Sequence, residues 1–190
     1  MQKKEPTTQP DPERADLRAR LLAARAALAD REVRERALAA RVARWLRTIP
    51  VARLAFYWPV RGEPDLTQVI GEWLAQDAGR TAALPVVAGE ALEFAAWTPG
   101  APMQPGAYGI PVPATIRRVV PQLILIPCVG IDDQRYRLGY GGGYYDRTAA
   151  AFAVRPVLVG VGFDCGRIAS IDPQPHDVRL DLAITESGVL

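Results

Sequence analysis

Arg137-Leu138-Gly139-Tyr140-Gly141-Gly142-Gly143-Tyr144-Tyr145-Asp146 is the stretch on which the reading of this chain turns. Four glycines in five positions free the backbone for left-handed turns and for close approach of a ligand. An apolar run, Gln122 to Ile126, lies upstream and suits a central parallel strand; a helical pattern runs on through Asp146 to Phe152. A glycine turn that opens a helix presents successive N–H groups to an anion. The segment therefore reads as a phosphate cradle, with Asp146 one turn on as a candidate metal carboxylate. The implied chemistry is that of a nucleoside triphosphate.

The flanking sequence supplies the rest of an α/β pattern. Leu17, Leu21, Ala24 and Leu28 predict a helix over Pro12 to Ala29. Asp30 is placed to cap a second, with Val33, Leu38, Val42 and Trp45 facing inward. Strands are expected over Val51–Trp58, Thr81–Val87, Ala91–Ala96, Pro156–Phe163 and Leu180–Thr185, and a helix over Asp65–Asp77 capped by Asp65. Pro99 to Pro113 is a long proline–glycine loop. Strands alternating with helices imply a three-layer α/β/α domain with a mainly parallel sheet over 12–190, after a disordered tail over 1–11. Ligands of such sheets sit beyond the carboxyl ends of the strands, where the glycine loop and the Trp58–Asp65 loop both emerge.

Composition removes several mechanisms. The only lysines are Lys3 and Lys4, so the body of the chain holds neither a P-loop lysine nor a Schiff-base lysine. His176 is the sole histidine, and Ser170 and Ser187 are the only serines, neither in a nucleophile-elbow context. Cys128 and Cys165 lack metal-type spacing and read as free thiols. No apolar run is long enough for a membrane span, and the polar N-terminus lacks the apolar core of a signal peptide; a cytoplasmic protein is expected. The net charge of +2 conceals a basic first quarter, but no aromatic platform interleaves it, and no nucleic-acid partner is expected. What remains is positioning, carboxylate–metal chemistry and guanidinium electrostatics.

Arg14 and Arg18 are four apart on one helix face; read alone they are a solvated face, and beside the glycine loop they are an anion clamp. Glu63 stands at a strand end between Gly62 and Pro64. Its carboxylate can accept from a heterocycle's N–H groups while Trp58 offers a flat wall, or it can pair with Arg61 as an ordinary loop acid. Asp132 and Asp133 read as turn formers and His176 as a loop-shaping residue. Asp177, if its loop folds back beside Asp146, completes an oxygen-rich magnesium site.

The run from Pro127 to Arg147, together with the Leu17-Arg18 helix entry, Arg61-Gly62-Glu63-Pro64-Asp65, Tyr108-Gly109-Ile110-Pro111, Gly160-Val161-Gly162-Phe163 and His176-Asp177, resembles the 5-formyltetrahydrofolate cyclo-ligases. The resemblance implies an α/β fold akin to sugar-phosphate isomerases and coenzyme-A transferases. It also implies a monomer that uses ATP as co-substrate and Mg2+ to convert 5-formyltetrahydrofolate to 5,10-methenyltetrahydrofolate. Carried over by resemblance, Arg14 and Arg18 meet the nucleotide phosphates and Arg18 also the folate. Arg137, Leu138, Gly139, Tyr140, Gly141, Gly142, Gly143, Tyr144 and Tyr145 form the ATP loop, with Tyr140 to Tyr144 facing substrate as well. Arg18, Arg137 and Tyr144 carry catalysis, Asp146 and Asp177 hold magnesium, and Trp58 and Glu63 meet the pterin, with Trp97 and Tyr108 as further folate walls. Three positions depart from the family pattern: Arg14 where lysine is common, Gly142 where a lysine or arginine can stand, and Gly166 where glutamine is frequent. The rival expectations are a paralogue acting on another heterocycle, a non-catalytic folate or nucleotide binder, and an RNA-binding protein.

Overall fold

A computed structural model describes residues 11–190. The tail expected over 1–11 lies outside the described residues except for Asp11. Its carboxylate accepts from the Glu13 and Arg14 amides and so caps α1 (Pro12–Ala26). That helix ends three residues short of the expected Ala29. α2 (Arg31–Leu46) buries Leu38, Val42 and Leu46. Asp30 holds the cap position, but in left-handed backbone and without a side-chain cap bond. Val33 is exposed, not inward, because the buried stripe begins more than a turn later, at Leu38.

Then follow β1 (Arg53–Ala55), α3 (Thr67–Ala75), β2 (Thr81–Ala88) and β3 (Ala91–Trp97). The proline–glycine loop is itself structured as a hairpin, β4 (Met103–Pro105) and β5 (Pro111–Pro113). β6 (Leu123–Pro127) leads to β7 (Gly130–Asp132), β8 (Arg137–Leu138) and α4 (Tyr144–Ala151). β9 (Val157–Val161), β10 (Arg167–Ile168) and β11 (Leu182–Ile184) complete the chain.

The main sheet has six strands in the order β11-β9-β6-β1-β2-β3, parallel except where β3 runs against β2. Period-two side chains sort its two faces. Leu54, Leu84, Leu123, Leu125, Val159 and Ile184 meet Leu38, Val42, Ile70 and Trp73 of α2 and α3 in one core. Ala55, Ala83, Ile124, Ile126, Leu158 and Ala183 form the other with Ala149 of α4 and Phe94. Both faces are covered, which is why Leu123 to Ile126 reads as an unbroken apolar run. The expected α/β/α layering is what the structure shows.

A second, three-stranded sheet of order β10-β7-β8 was not legible in the sequence. Leu21 of α1 packs on it with Val129, Leu138 and Ile171. Asp132 organises its turn: one carboxylate oxygen accepts from the Gln134 and Tyr136 amides and the other from Ile171. This small sheet rises past the carboxyl end of β6, delivers the chain into the glycine loop, and gives α1 its seat above it. No helix among the described residues is long and apolar enough to cross a membrane.

Candidate functional site

The glycine loop emerges from β8, where the buried Leu138 anchors it and the Val129 amide donates to the Leu138 carbonyl. Gly141 (φ 94°) and Gly143 (φ 64°) occupy left-handed backbone, so glycine is needed at both. Gly143 is also the cap of α4. From Gly139 through Asp146, the main-chain N–H groups have no acceptor among the described residues. Eight adjacent donors around a turn and a helix entrance are a strong attractor for anionic oxygen.

Arginines converge on this turn. Arg18 donates through Nε to the Gly139 carbonyl at 2.7 Å, which leaves its two terminal nitrogens against Gly141. Burial first, and Arg14 second, hold the Arg18 pKa below its ordinary value, against the opposing pull of Asp11. Arg14 pairs with Asp177 at 3.0 Å, while its buried Nε–H has no partner. Arg147 donates to the carbonyls of Gly142 (2.7 Å) and Glu90 (2.6 Å) and lies over the Tyr144 ring.

The carboxylates follow the same logic. Arg137, almost fully buried, donates to Asp146 Oδ1 at 2.7 Å and to the Val178 carbonyl at 2.9 Å. The Val178 amide returns a bond to the same Asp146 oxygen, 2.9 Å, and Asp177 is the adjacent residue. Thus the structure brings Asp146 and Asp177 together through one stretch of backbone. Asp177 Oδ2 takes Arg14 and the Gln174 amide. The other oxygen of each carboxylate has no hydrogen bond among the described residues. Two hard oxygen donors beside an anion cradle suit a magnesium ion, which takes one or two carboxylates and completes its shell with phosphate and water. His176 is exposed and makes none of these contacts.

Glu63 occupies a second flank of the site. Its loop is held by Tyr57, whose hydroxyl donates to the Pro64 carbonyl (2.9 Å). From α2, Arg31 donates to the Gly62 carbonyl (2.7 Å) and Glu35 accepts from the Asp65 amide (2.8 Å). Glu63 is 4% exposed and accepts from the Val60 amide at 2.9 Å. Burial pushes its pKa up, and the Val60 bond, the Tyr140 hydroxyl, Arg25 and Arg61 pull it back. Asp65 is not the cap of α3, whose N-cap is Leu66 without a side-chain bond; one residue earlier, Asp65 accepts from the Thr67 amide and hydroxyl. Trp58 is half-buried beside this loop.

Several sequence-derived assignments change in detail. The side chains of Leu138 and Tyr145 point into apolar clusters, so only their main chain is available to a ligand. Trp97 is not a wall of the site; it is a core residue packed edge-on against Phe56. Tyr108 is exposed on the β4–β5 hairpin and hydrogen-bonds the Tyr144 hydroxyl at 2.7 Å. Gly166 has no room for a side chain: a Cβ there would lie 2.6 Å from the Val129 carbonyl oxygen. Burial pushes the Cys128 thiol up to about 12, so it is not a nucleophile. Sequence reasoning missed Arg25. It is buried on α1 and bonded to the Tyr140 hydroxyl and the Cys128 carbonyl, seven residues beyond Arg18 and on the same helix face.

Sheet, glycine turn and paired arginine–carboxylate contacts define an α/β protein with an anion-ready loop at a helix entrance. The model of the 5-formyltetrahydrofolate cyclo-ligase family matches residues 10–186, and the chain belongs to that family. The 5-formyltetrahydrofolate cyclo-ligase of Haemophilus influenzae is 30% identical over 95 residues, 47% of this chain and about half (51%) of that relative's length. That of Mycolicibacterium smegmatis is 27% identical over 154 residues, 74% of this chain and 78% of that protein. Among solved structures, the NMR structure of Aquifex aeolicus 5,10-methenyltetrahydrofolate synthetase superimposes with a TM-score of 0.75 at 32% identity, covering 93% of this chain and 91% of that one. The Mycoplasma pneumoniae synthetase gives a TM-score of 0.76 at 23% identity over 92% and 99%, a likeness of fold.

Proposed function

We propose that this protein is an ATP-dependent 5-formyltetrahydrofolate cyclo-ligase. The observation that carries the reading is the row of unpartnered main-chain donors from Gly139 to Asp146, overhung by Arg14 and Arg18, in a chain of this family. The γ-phosphoryl group passes to the formyl oxygen and ADP leaves. The second folate amine then attacks the activated carbon, and phosphate departs with the C–O bond as the five-membered ring closes. Phosphoryl transfer of this kind needs in-line placement and neutralised charge more than a protein nucleophile. The lysine- and serine-poor site fits that requirement.

Each residue has a role of that type. The loop amides hold phosphate oxygens, and Arg18 spans the loop and the reacting formyl group. Arg14 steadies the outer phosphate. Asp146 and Asp177 would hold magnesium, whose contribution is to offset charge on the phosphates. Arg137 braces Asp146, so its part is positioning. Tyr144 stands at the helix entrance, beside the transfer. Trp58 and Glu63 receive the pterin, whose ring N–H groups donate to the carboxylate. ADP, phosphate and the methenyl product follow, in a monomer working in the cytoplasm.

The test follows the absorbance of methenyl-tetrahydrofolate formed from the 5-formyl compound. Turnover that requires both ATP and magnesium is expected. Full turnover without ATP, or none with both present in a folded protein, overturns the reading.

A further inference from the structure

A loop so rich in glycine does not hold a shape by itself, because glycine leaves the backbone free. Two arginines hold this one from outside. Arg18 of α1 grips the Gly139 carbonyl at its entrance, and Arg147 of α4 grips the Gly142 carbonyl at its exit, both at 2.7 Å. A trans peptide is planar, with its carbonyl and its N–H on opposite edges. A donor that holds the carbonyl to one side therefore aims the next residue's N–H to the other. Arg18 sets the Tyr140 amide in this way and Arg147 the Gly143 amide, and both belong to the row of unpartnered donors.

We propose that Arg147 is a positioning residue, which aims the Gly143 N–H, and with it the entrance of α4, at the phosphates of bound ATP. The inference rests on the reading of the glycine loop as the ATP cradle. Gly143 caps α4 in left-handed backbone and without a side-chain bond, so its own residue does nothing to fix that peptide. Arg147 packs directly against it: a Cβ at Gly143 would lie 2.5 Å from one of its terminal nitrogens. The guanidinium also stands 5.2 Å from the centre of the Tyr144 ring, and its Nε–H reaches the Glu90 carbonyl at 2.6 Å. Glu90 lies in the turn between β2 and β3, so the edge of the main sheet backs the loop. Arg147 forms no ion pair among the described residues, and its hydrogen bonds go to main-chain carbonyls. The next residue makes a separate tie to β3: the buried Thr148 hydroxyl donates to the Tyr144 carbonyl (2.6 Å) and accepts from the Leu92 amide (2.8 Å). Thr148 anchors the helix, whereas Arg147 reaches the glycine carbonyl.

The experiment measures KM for ATP and KM for 5-formyltetrahydrofolate in the full chain. Arg147→Met removes a hydrogen bond from a charged donor, so the ATP KM should rise about tenfold while the folate KM stays within about twofold of wild type. Arg147→Lys reports even if Arg147→Met fails to fold. Its ammonium concentrates its donors at one point and should replace the two carbonyl bonds only in part, with the ATP KM up about threefold. Thr148→Val cuts the tie to β3 and leaves both Arg147 bonds; it should melt lower, with the ATP KM within about twofold of wild type. Wild-type ATP KM in Arg147→Met and Arg147→Lys, with an ATP KM raised about a hundredfold by the carboxylate of Gly142→Asp, would overturn the inference alone. So would a Thr148→Val ATP KM raised as far as that of Arg147→Met, since anchoring of α4 would then account for both. A folded Gly142→Asp enzyme with wild-type ATP KM would overturn the cradle reading beneath the inference.

Discussion

Gly143→Ala tests whether the loop's shape, not only its lack of side chains, is what the site requires. Gly143 sits at φ 64°, where an L residue costs about 1–2 kcal/mol. A Cβ there would lie 2.5 Å from an Arg147 terminal nitrogen, so that guanidinium must retreat. Retreat forfeits the bond to the Gly142 carbonyl, about 0.5–1.5 kcal/mol, and the stacking on Tyr144, about 0.5–1 kcal/mol. The total is about 2–4.5 kcal/mol. Gly139→Ala is the matched control: its Cβ would meet nothing within 4 Å and its φ is unremarkable. By stiffening the unfolded chain it should be neutral or stabilise by up to about 1 kcal/mol. Thermal melts of the two variants should therefore separate by roughly 5–15 °C for a chain of this size. The ATP KM should rise in Gly143→Ala in step with the loss. Coincident melting curves, or a Gly143→Ala protein with normal ATP KM, would show that the cradle does not depend on this conformation.

The other predictions are shorter. Asp146→Asn keeps an acceptor for the Val178 amide but leaves the buried Arg137 without its counter-charge, so urea titration should register a loss near 3 kcal/mol along with loss of turnover. Unchanged stability would mean that the ion pair is not structural. Glu63 has a folded-state pKa above its unfolded value, so the protein binds that proton more tightly when folded. The stability associated with it is present below the unfolded pKa and is lost as pH rises through the folded one. Glu63→Gln should thus melt higher than wild type at pH 8, and the advantage should fade on acidification; a difference independent of pH would refute the burial argument. A thiol reagent at pH 8 should leave Cys128 unmodified until urea unfolds the chain, because its pKa is pushed up to about 12. Rapid labelling of Cys128 in the native protein would contradict that.

Burial on two faces made the central sheet readable: Leu123 to Ile126 could be placed because helices cover both sides of it. The glycine loop was readable for a different reason, since consecutive glycines have no role in packing that a larger residue would not fill better. The small sheet was hidden because two- and three-residue strands carry no detectable period, and what holds β7 to β8 is the Asp132 turn. Val33 and Trp97 were misplaced by the same assumption, that residue type decides orientation. An apolar Val33 faces solvent because the α2 stripe starts later, and an aromatic near the site went to the core because β3 turns it inward. Arg25 was missed because polar residues on a leucine-bearing helix are read as its wet face. Its spacing of eleven from Arg14 and seven from Arg18 places all three on one line, and that was the available signal.

That line of arginines also explains how a chain whose only lysines lie at its N-terminus can build a phosphate site. Each guanidinium is divided between structure and ligand: Arg18 spends Nε on the Gly139 carbonyl and keeps two nitrogens for the loop's mouth. Arg14 spends one terminal nitrogen on Asp177 and keeps a buried Nε–H unpartnered. A fixed planar fork can do both at once, whereas an ammonium concentrates its donors at a single point. Lysine at position 14 could pair with Asp177 or reach the phosphate, and the structure here uses a residue able to serve both. Arg14→Lys should therefore preserve the melting temperature within a few degrees while weakening ATP binding several-fold. Full ATP affinity in that variant would show that the unpartnered Nε–H takes no part in the site.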